Sequence, residues 1–122
     1  YGLPERSVAF AVALNALPDS QLVRPTTVGT MPAAVQDVAL IVDSTVSAAN
    51  VEAALREGAG ELLESITLFD RYDKIGDGKI SLAFTLVFRA ADRTLTGEEV
   101  SGMREAATSL ASTKFGAIVR TA

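Results

Sequence analysis

The sequence contains no cysteine and no histidine. The absence of cysteine excludes disulfide bonds and zinc–thiolate sites, and it is compatible with a cytosolic protein. Without either residue type, the chain also lacks the most common general base, the thiol nucleophile and the usual transition-metal ligands. We therefore do not expect this chain to carry out catalysis on its own.

Long hydrophobic runs are also missing, although 48% of the residues are hydrophobic. No apolar run approaches the roughly 20 residues that a membrane-spanning helix needs, and no signal peptide led by Lys or Arg is present. A length of 122 residues is typical of one domain with an appendage. Because the sequence begins at Tyr1, without Met, we expect it to be part of a longer chain.

Cations are fewer than anions, since 11 Lys and Arg residues stand against 15 Asp and Glu residues for a net charge of −4. This sign by itself argues against a nucleic-acid partner, because nucleic acids are bound largely through anionic phosphates. The distribution is uneven, however. Residues 47–65 hold four Glu and one Arg, whereas residues 66–95 hold five of the 11 cations against four Asp. The central segment is therefore compatible with a local anionic partner, although it forms no basic stripe.

The first 32 residues differ in character from the rest. Residues 8–17 are the most apolar stretch and are interpreted as a strand. Residues 17–32 contain three prolines and no periodicity, which predicts a linker and a domain boundary within residues 18–31. Because an unpaired apolar strand is a template for association, we expect residues 8–17 to pair with a sheet edge of this chain or with a neighbouring molecule.

Three longer strands are predicted after the linker. Residues 37–43 (DVALIVD) form a strand of the buried type, and residues 62–72 and 79–89 form two paired strands. In the last of these, large apolar residues alternate strictly from Ile80 to Phe88, so one face of the strand belongs to the core.

Two helices alternate with these strands. The first begins after Ser47 as N-cap and ends near Arg56, where glycines follow. The second begins after Thr96, because Glu99 three residues later completes a capping box, and ends at Gly116. A last short strand covers residues 117–120. The order β-α-β-β-α-β predicts an α+β, ferredoxin-like fold, in which a four-stranded antiparallel sheet carries both helices on one face and leaves the other face open. The N-terminal strand and linker are additional to it.

Strand alternation predicts which side chains lie on the open face. In the second strand, Asp70 and Tyr72 share a face with Ile66 and Leu68, and Phe69 lies in the core. Either the N-terminal segment covers Ile66 and Leu68, or a bulge shifts the alternation. The residues expected on the open face of the other two strands are Ser81, Ala83, Thr85, Val87 and Arg89, and Asp37, Ala39, Ile41 and Asp43.

The acidic stretch from Asp73 has the outline of a calcium-binding EF-hand loop. Its third position, Ile75, offers no side-chain oxygen, and its twelfth position, Phe84, lacks the required carboxylate. The segment 76–78 (GDG) is instead typical of a turn. We therefore predict that Asp73 and residues 76–78 connect the two strands of a hairpin.

An open sheet of this topology with an exposed aromatic ring is one known solution for binding unstacked RNA bases, although no RRM signature is present here. A carboxylate can accept hydrogen bonds from N1 and N2 of guanine. Asp70 beside Tyr72 would combine such an acceptor with a stacking ring. On the pattern alone, the alternative is that Asp70 is a solvated strand-end residue and Tyr72 a partly buried hairpin residue.

A family resemblance is carried by five blocks in series: MPAAVQDVALIVD, LLESITLFDRY, GKISLAFTLVFR, DRTLTGEEV and FGAIVR. In order and spacing they resemble the C-terminal ferredoxin-fold anticodon-binding domain of the bacterial phenylalanyl-tRNA synthetase β chain. Residues 1–30 resemble the end of the preceding domain and its linker, which assigns residues 31–122 to the anticodon-binding domain.

The resemblance implies a tRNA-binding function in an α/β heterotetrameric phenylalanine–tRNA ligase in the cytoplasm. The implied partners are the tRNA(Phe) anticodon and, through the parent β chain, the α chain that holds the aminoacylation site. No membrane or DNA partner is implied. It implies neither a cofactor nor a metal in this domain, whereas the parent complex uses ATP and Mg²⁺.

The resemblance also implies the residues that contact RNA. Asp70 and Tyr72 match the pair that engages the guanine at the start of the anticodon, and Ser81 and Ala39 match two further positions on the same face. Where cations are common in the family, this chain has Gln36 and Ile80, which predicts weaker phosphate contacts. The cations expected to compensate are Arg71, Lys74, Lys79 and Arg89.

Two other hypotheses belong to different classes. The first is a structural or regulatory ferredoxin-like module without an RNA ligand, with Ile41, Ile66 and Leu68 as its interface. The second is an enzyme of the acylphosphatase type, which needs a phosphate-binding loop with a placed Arg and Asn. The chain offers Asn15 and Asn50, and neither lies in a suitable loop.

Overall fold

The computed structural model describes residues 2–20 and 29–120. Four antiparallel strands form one sheet in the order β2-β3-β1-β4, and two helices complete the predicted β-α-β-β-α-β sequence. Within the described ranges, no helix is both long and apolar enough to cross a bilayer. The elements are β1 (Ala34–Asp43), α1 (Ala48–Ala59), β2 (Leu63–Gly76), β3 (Lys79–Phe88), α2 (Gly97–Phe115) and β4 (Ile118–Val119).

One hydrophobic core lies between the sheet and the two helices. The alternating rows predicted for β1 and β3 are confirmed, because both rows are buried while their neighbours along the chain are more exposed. Burying a side chain such as Phe84 or Phe88, both fully inaccessible, contributes about 1.5–3 kcal/mol each. The buried apolar residues of the three central elements are Val38, Leu40 and Val42 in β1, Val51, Ala54, Leu55 and Ala59 in α1, and Ile80, Leu82, Phe84, Leu86 and Phe88 in β3.

Helix α1 begins as predicted but ends about one turn later. The Ser47 hydroxyl accepts a hydrogen bond from the backbone N–H of Asn50 at 3.2 Å. Gly58 lies within the helix and does not end it. The absence of a side chain at this position allows α2 to approach closely, since a Cβ there would lie 2.7 Å from the Cα of Ala107. The helix ends at Gly60, whose φ of 80° favours glycine.

Helix α2 has the predicted signals at both ends. The Thr96 hydroxyl accepts from the Glu99 N–H at 3.3 Å, and the Glu99 carboxylate accepts from the Thr96 N–H at 2.9 Å, which completes the capping box. At the other end, Gly116 is left-handed with φ 62°, and its N–H donates to the Ser112 carbonyl at 2.8 Å. These local hydrogen bonds fix where the chain leaves the helix and enters β4.

The β2–β3 hairpin has a tighter turn than predicted. Gly76 pairs with Lys79, so only Asp77 (φ 55°) and Gly78 (φ 67°) form the connection. Positive φ at both central residues is what a two-residue type I′ turn requires. Assigning Asp73 to the connection was wrong, because strand pairing continues past it. Strands on both sides replace the helices of an EF-hand, and within the described ranges no group of three acidic residues is placed to hold a metal ion.

A bulge in β2 decides which of its side chains face the core. Leu68 pairs with Phe84 and Asp70 with Ala83, so the register shifts by one residue at Phe69. Phe69 is 57% exposed, and the prediction that it lies in the core was wrong. Of the two alternatives, the bulge is the one observed, and it leaves Ile66 buried in the core at 8% exposure.

The N-terminal segment is not the predicted strand. Residues 8–13 are paired with no other described residue, and Leu14–Ala16 form a single 3-10 turn. Val8 is 93% and Phe10 is 90% exposed. An apolar run favours a strand only where a partner supplies hydrogen bonds and buries one face. In the described part of this chain no sheet edge does so, and the expected pairing with the chain's own sheet does not occur. The predicted boundary falls partly on residues 21–28, which lie outside the described ranges.

Candidate nucleic-acid interface

The open face of the sheet carries a row of side chains that crosses three strands. Cross-strand partners lie on the same face, and the register places Asp70 opposite Ala83 and Ala83 opposite Ala39. The row ends at Arg120, the residue directly after β4. Its N–H donates to the Ala39 carbonyl at 2.8 Å, so Arg120 lies beside Ala39. Two alanines therefore lie between an acidic residue at one end of the row and a basic residue at the other.

These four residues and Ser81 line one concavity of about 250 Å³. Ser81 is only 4% exposed, and the alanine side chains are short, so the floor of the concavity lies close to the backbone. A flat ligand can therefore approach the sheet at this place. Three of the residues predicted for RNA contact, Asp70, Ser81 and Ala39, are brought together here, while Ala83 was predicted only to lie on the open face.

A second row lies one step nearer the hairpin turn. Tyr72 is opposite Ser81, Ser81 is opposite Ile41, and Ile41 is opposite Ile118. Tyr72 is 47% exposed, so its ring is accessible to a ligand over the concavity. An accessible aromatic ring beside a shallow, small-residue floor is the arrangement on which unstacked bases bind.

Of the four cations predicted to support RNA binding, Lys79 lies on the open face, two residues before Ser81. It is opposite Asp43 at the hairpin end of the sheet. The pKa of the Asp43 carboxyl is held below its usual value, mainly by hydrogen bonds from the Thr45 N–H and hydroxyl and secondarily by the positive charge of Lys79. Asp43 therefore stays ionised and partly offsets this lysine.

The structure places two of the other predicted cations away from the concavity. Arg71 is opposite the buried Leu82, on the face that carries the helices, and its Nε lies 2.8 Å from the Asp73 carboxylate. Arg89 follows β3 at the end of the sheet far from the hairpin turn, with its Nε 2.9 Å from the Glu64 carboxylate.

Arg89 also connects the start of the domain to the sheet through hydrogen bonds. Its guanidinium donates to the backbone carbonyls of Gly29, at 3.5 Å, and Met31. A side chain held by these contacts and by Glu64 has a structural role. Lys74, the remaining predicted cation, is exposed in β2 between Tyr72 and the turn.

Arg120 was missed by the sequence-based reasoning. The alternation of the last strand, predicted at residues 117–120, could have identified it. The side chains of that strand were not assigned to the open face or to the core. By alternation, Arg120 lies on the same face of the sheet as Ile118. Ile118 is 58% exposed and lies opposite Ile41. The missing information was the register of β4 against β1, which is set by only two residue pairs.

The three apolar residues predicted as the interface of a non-RNA module do not lie together on one surface. Ile66 is buried in the core, and Leu68 is opposite Phe84 on the helix-bearing face. Ile41 alone of the three lies on the open face. Among the described residues this face is therefore mixed, with a carboxylate and a guanidinium at the two ends of the concavity and the apolar pair Ile41 and Ile118 in the next row.

The strand order, the helices on one side and the open face define a ferredoxin-like α+β domain. The family model of the ferredoxin-fold anticodon binding domain matches residues 29–120, and the chain belongs to that family. The resemblance noted in the five sequence blocks is thereby confirmed.

Relatives in three organisms carry the name phenylalanine–tRNA ligase beta subunit. The chain is 56% identical to the one from Streptomyces avermitilis over 123 residues and 49% identical to the one from Thermobifida fusca, in each case over 98% of this chain. It is 51% identical to the one from Corynebacterium jeikeium over 97% of this chain. The chain spans only 14–15% of the length of these relatives. The matched region includes the N-terminal segment that lies outside the family model.

Proposed function

We propose that this chain is the tRNA-binding domain of a phenylalanine–tRNA ligase beta subunit and that its open sheet face binds the first nucleotide of the tRNA(Phe) anticodon. The observation that supports this most is the bulge at Phe69. Because of it, Asp70 lines one concavity with Ser81 and Ala39, and Tyr72 lies on the same face opposite Ser81. Family membership and the names of the relatives support the same function.

Each residue has a distinct role in this proposal. Asp70 accepts hydrogen bonds from N1 and N2 of guanine, the two donors on the pairing edge of that base. Tyr72 stacks on the face of the base or of its neighbour, and Ser81 and Ala39 allow close approach to the sheet. Base-edge contacts of this kind specify sequence, whereas phosphate contacts mainly position the RNA.

The phosphates are contacted by fewer cations than the sequence predicts. Lys79 and Lys74 lie toward the hairpin end beside Tyr72, while Arg71 and Arg89 are engaged with Asp73 and Glu64. We therefore expect modest affinity for the domain by itself and a shallow dependence on salt.

Aminoacylation is proposed to take place elsewhere in the assembled enzyme. The α chain holds the reaction site, where ATP and Mg²⁺ are used, and this chain contributes recognition of tRNA(Phe) in the cytoplasm. In the longer chain, residues 8–17 are proposed to belong to the preceding domain. The exposed apolar residues Val8, Phe10 and Leu14 would then be covered by that domain.

The test is binding of tRNA(Phe) to the full-length ligase, with guanine or adenine at the first anticodon position. Tyr72→Ala should lose roughly 1–3 kcal/mol of binding free energy with either RNA, because stacking is tolerant of base identity. Asp70→Ala should weaken binding of the guanine RNA only. Fluorescence anisotropy or filter binding measures both effects.

Two control variants are available in the same chain. Tyr72→Phe keeps the ring and should bind as wild type does. Glu61→Ala removes an exposed carboxylate that follows α1 and does not line the concavity, so it should not alter the guanine preference. If Tyr72→Ala and Asp70→Ala both bind guanine RNA as tightly as wild type does, the site assignment is wrong.

A further inference from the structure

Arg120 lies across the concavity from Asp70, at the other end of the same cross-strand row. The hydrogen bond from its N–H to the Ala39 carbonyl fixes it as the neighbour of Ala39. No sequence pattern singled this residue out, and the function proposed above assigns it no role.

The distance across the row matches a single base. Asp70 and Arg120 are separated by three strand-to-strand steps of about 4.8 Å each, or about 14 Å between their backbones. Only the methyl groups of Ala83 and Ala39 lie between them. A planar base that lies over these methyl groups would have one edge toward Asp70, and the long side chain of Arg120 would reach the adjoining edge.

Guanine matches both ends of this row. Its N1 and N2 donors face one way, and its O6 and N7 acceptors extend along the adjoining edge. An arginine guanidinium donates two parallel hydrogen bonds to O6 and N7, which is the commonest specific contact to guanine in DNA complexes. We propose that Arg120 is a second base-reading residue, which donates to N7 and O6 of the guanine that Asp70 holds at N1 and N2. This inference rests on the function proposed above.

A phosphate contact is the competing role for Arg120, and the local charges argue against it. Arg120 also borders a groove of about 270 Å³ at the β4 edge, where Arg104 is the other cation and Asp37 and Glu105 are carboxylates. Two cations against two carboxylates leave this groove without net charge. A phosphate there would meet both carboxylates, whereas a base in the concavity meets only Asp70.

The neighbours of Arg120 at this edge are already engaged with other groups. The Asp37 carboxylate accepts a hydrogen bond from the Thr85 hydroxyl at 2.6 Å. The Arg104 guanidinium lies 3.5 Å from the side-chain oxygen of Gln36. Among the ion pairs of the described residues none includes Arg120, so its guanidinium can turn toward a base.

Base analogues in the first anticodon position test this assignment in the full-length ligase. The probes are tRNA(Phe) carrying guanine, inosine, which lacks the N2 amino group, or 7-deazaguanine, in which carbon replaces N7. Wild type should bind the 7-deazaguanine RNA roughly 3- to 10-fold more weakly than the guanine RNA. Arg120→Ala should bind the guanine RNA roughly 5- to 100-fold more weakly and should no longer distinguish 7-deazaguanine from guanine.

Control measurements separate this inference from the proposed function. Arg120→Ala should still bind inosine RNA more weakly than guanine RNA, because Asp70 remains. Arg120→Lys keeps the charge but loses the planar fork, so it should discriminate poorly against 7-deazaguanine. Arg56→Ala removes a cation that pairs with Glu52 on α1, and it should behave as wild type does. Circular dichroism melts confirm that each variant is folded.

Three results would overturn the inference. If Arg120→Ala weakens the guanine and 7-deazaguanine RNAs equally and lowers the salt slope by about 0.7, Arg120 contacts a phosphate. If Arg120→Ala binds as wild type does while Asp70→Ala is weaker, Arg120 has no role and the proposed function stands. If neither variant changes binding, the proposed function fails together with the inference.

Discussion

Single residues determine which side chains lie on the open face, and Phe69 has the largest effect. It is the extra residue of the bulge that moves Asp70 and Tyr72 off the face used by Leu68. Strand alternation has a strict period of two, so one inserted residue exchanges the two faces for everything that follows. Without the bulge, the acceptor and the ring would point toward the helix layer.

The exposure of Phe69 leads to a stability prediction. Phe69→Ala should change the free energy of unfolding by less than about 1 kcal/mol, because the ring is 57% exposed. Phe84→Ala, at a fully buried position of the adjacent strand, should lose about 3–5 kcal/mol. Urea denaturation of the two variants measures the contrast, and equal losses would place Phe69 in the core after all.

Capping residues close in sequence determine where the helices begin and end, and helix α2 shows this most clearly. Glu99 accepts from the Thr96 N–H and hydroxyl, and its carboxylate lies 2.7 Å from the Arg93 guanidinium. The hydrogen bond from Arg93, followed by those from Thr96, lowers the pKa of Glu99 from its usual 4.5 to about 2. The pKa of Arg93 is raised in return.

The lowered pKa of Glu99 predicts how the stability of the domain depends on pH. Above about 4.5 the carboxylate is ionised in the folded and unfolded states, so its contribution to stability is complete. As pH falls from about 4.5 to about 2, the unfolded state binds the proton first, and the contribution is lost. Glu99→Gln should therefore remove part of the acid destabilisation in this window.

Thermal unfolding between pH 5 and pH 2 provides the measurement for Glu99→Gln. Glu98→Gln is the matched control, because Glu98 lies in the same first turn of α2 but accepts none of the capping hydrogen bonds in the described structure. A pH profile of Glu99→Gln that coincides with that of wild type would show that the capping carboxylate does not contribute.

Across the fold, the features predicted correctly are those with local causes. Caps at Ser47 and Thr96, the αL glycine at Gly116 and the alternation in β3 each follow from neighbouring residues, and together they give the element order. The β4 strand was also predicted, but its two-pair register was not, so Arg120 was missed.

The features that the sequence could not predict depend on partners distant in the chain. The bulge in β2 is defined only by its pairing with β3, and the engagement of Arg89 with Glu64, Gly29 and Met31 joins segments far apart in sequence. The strand predicted at residues 8–17 was wrong for the same reason, since an apolar run without a paired edge does not form a strand.

The open face of the sheet is the proposed RNA-binding face, and every RNA-binding role assigned above to a single residue depends on it. The most direct measurement is a nuclear magnetic resonance titration of the isotope-labelled chain with the anticodon stem-loop of tRNA(Phe), because amide shifts report weak binding residue by residue. We predict that the shift changes cluster at Ala39, Asp70, Tyr72, Ser81 and Arg120 and are absent from the outer surfaces of α1 and α2. Shift changes centred on the helices, or none on the open face at high RNA concentration, would contradict the account.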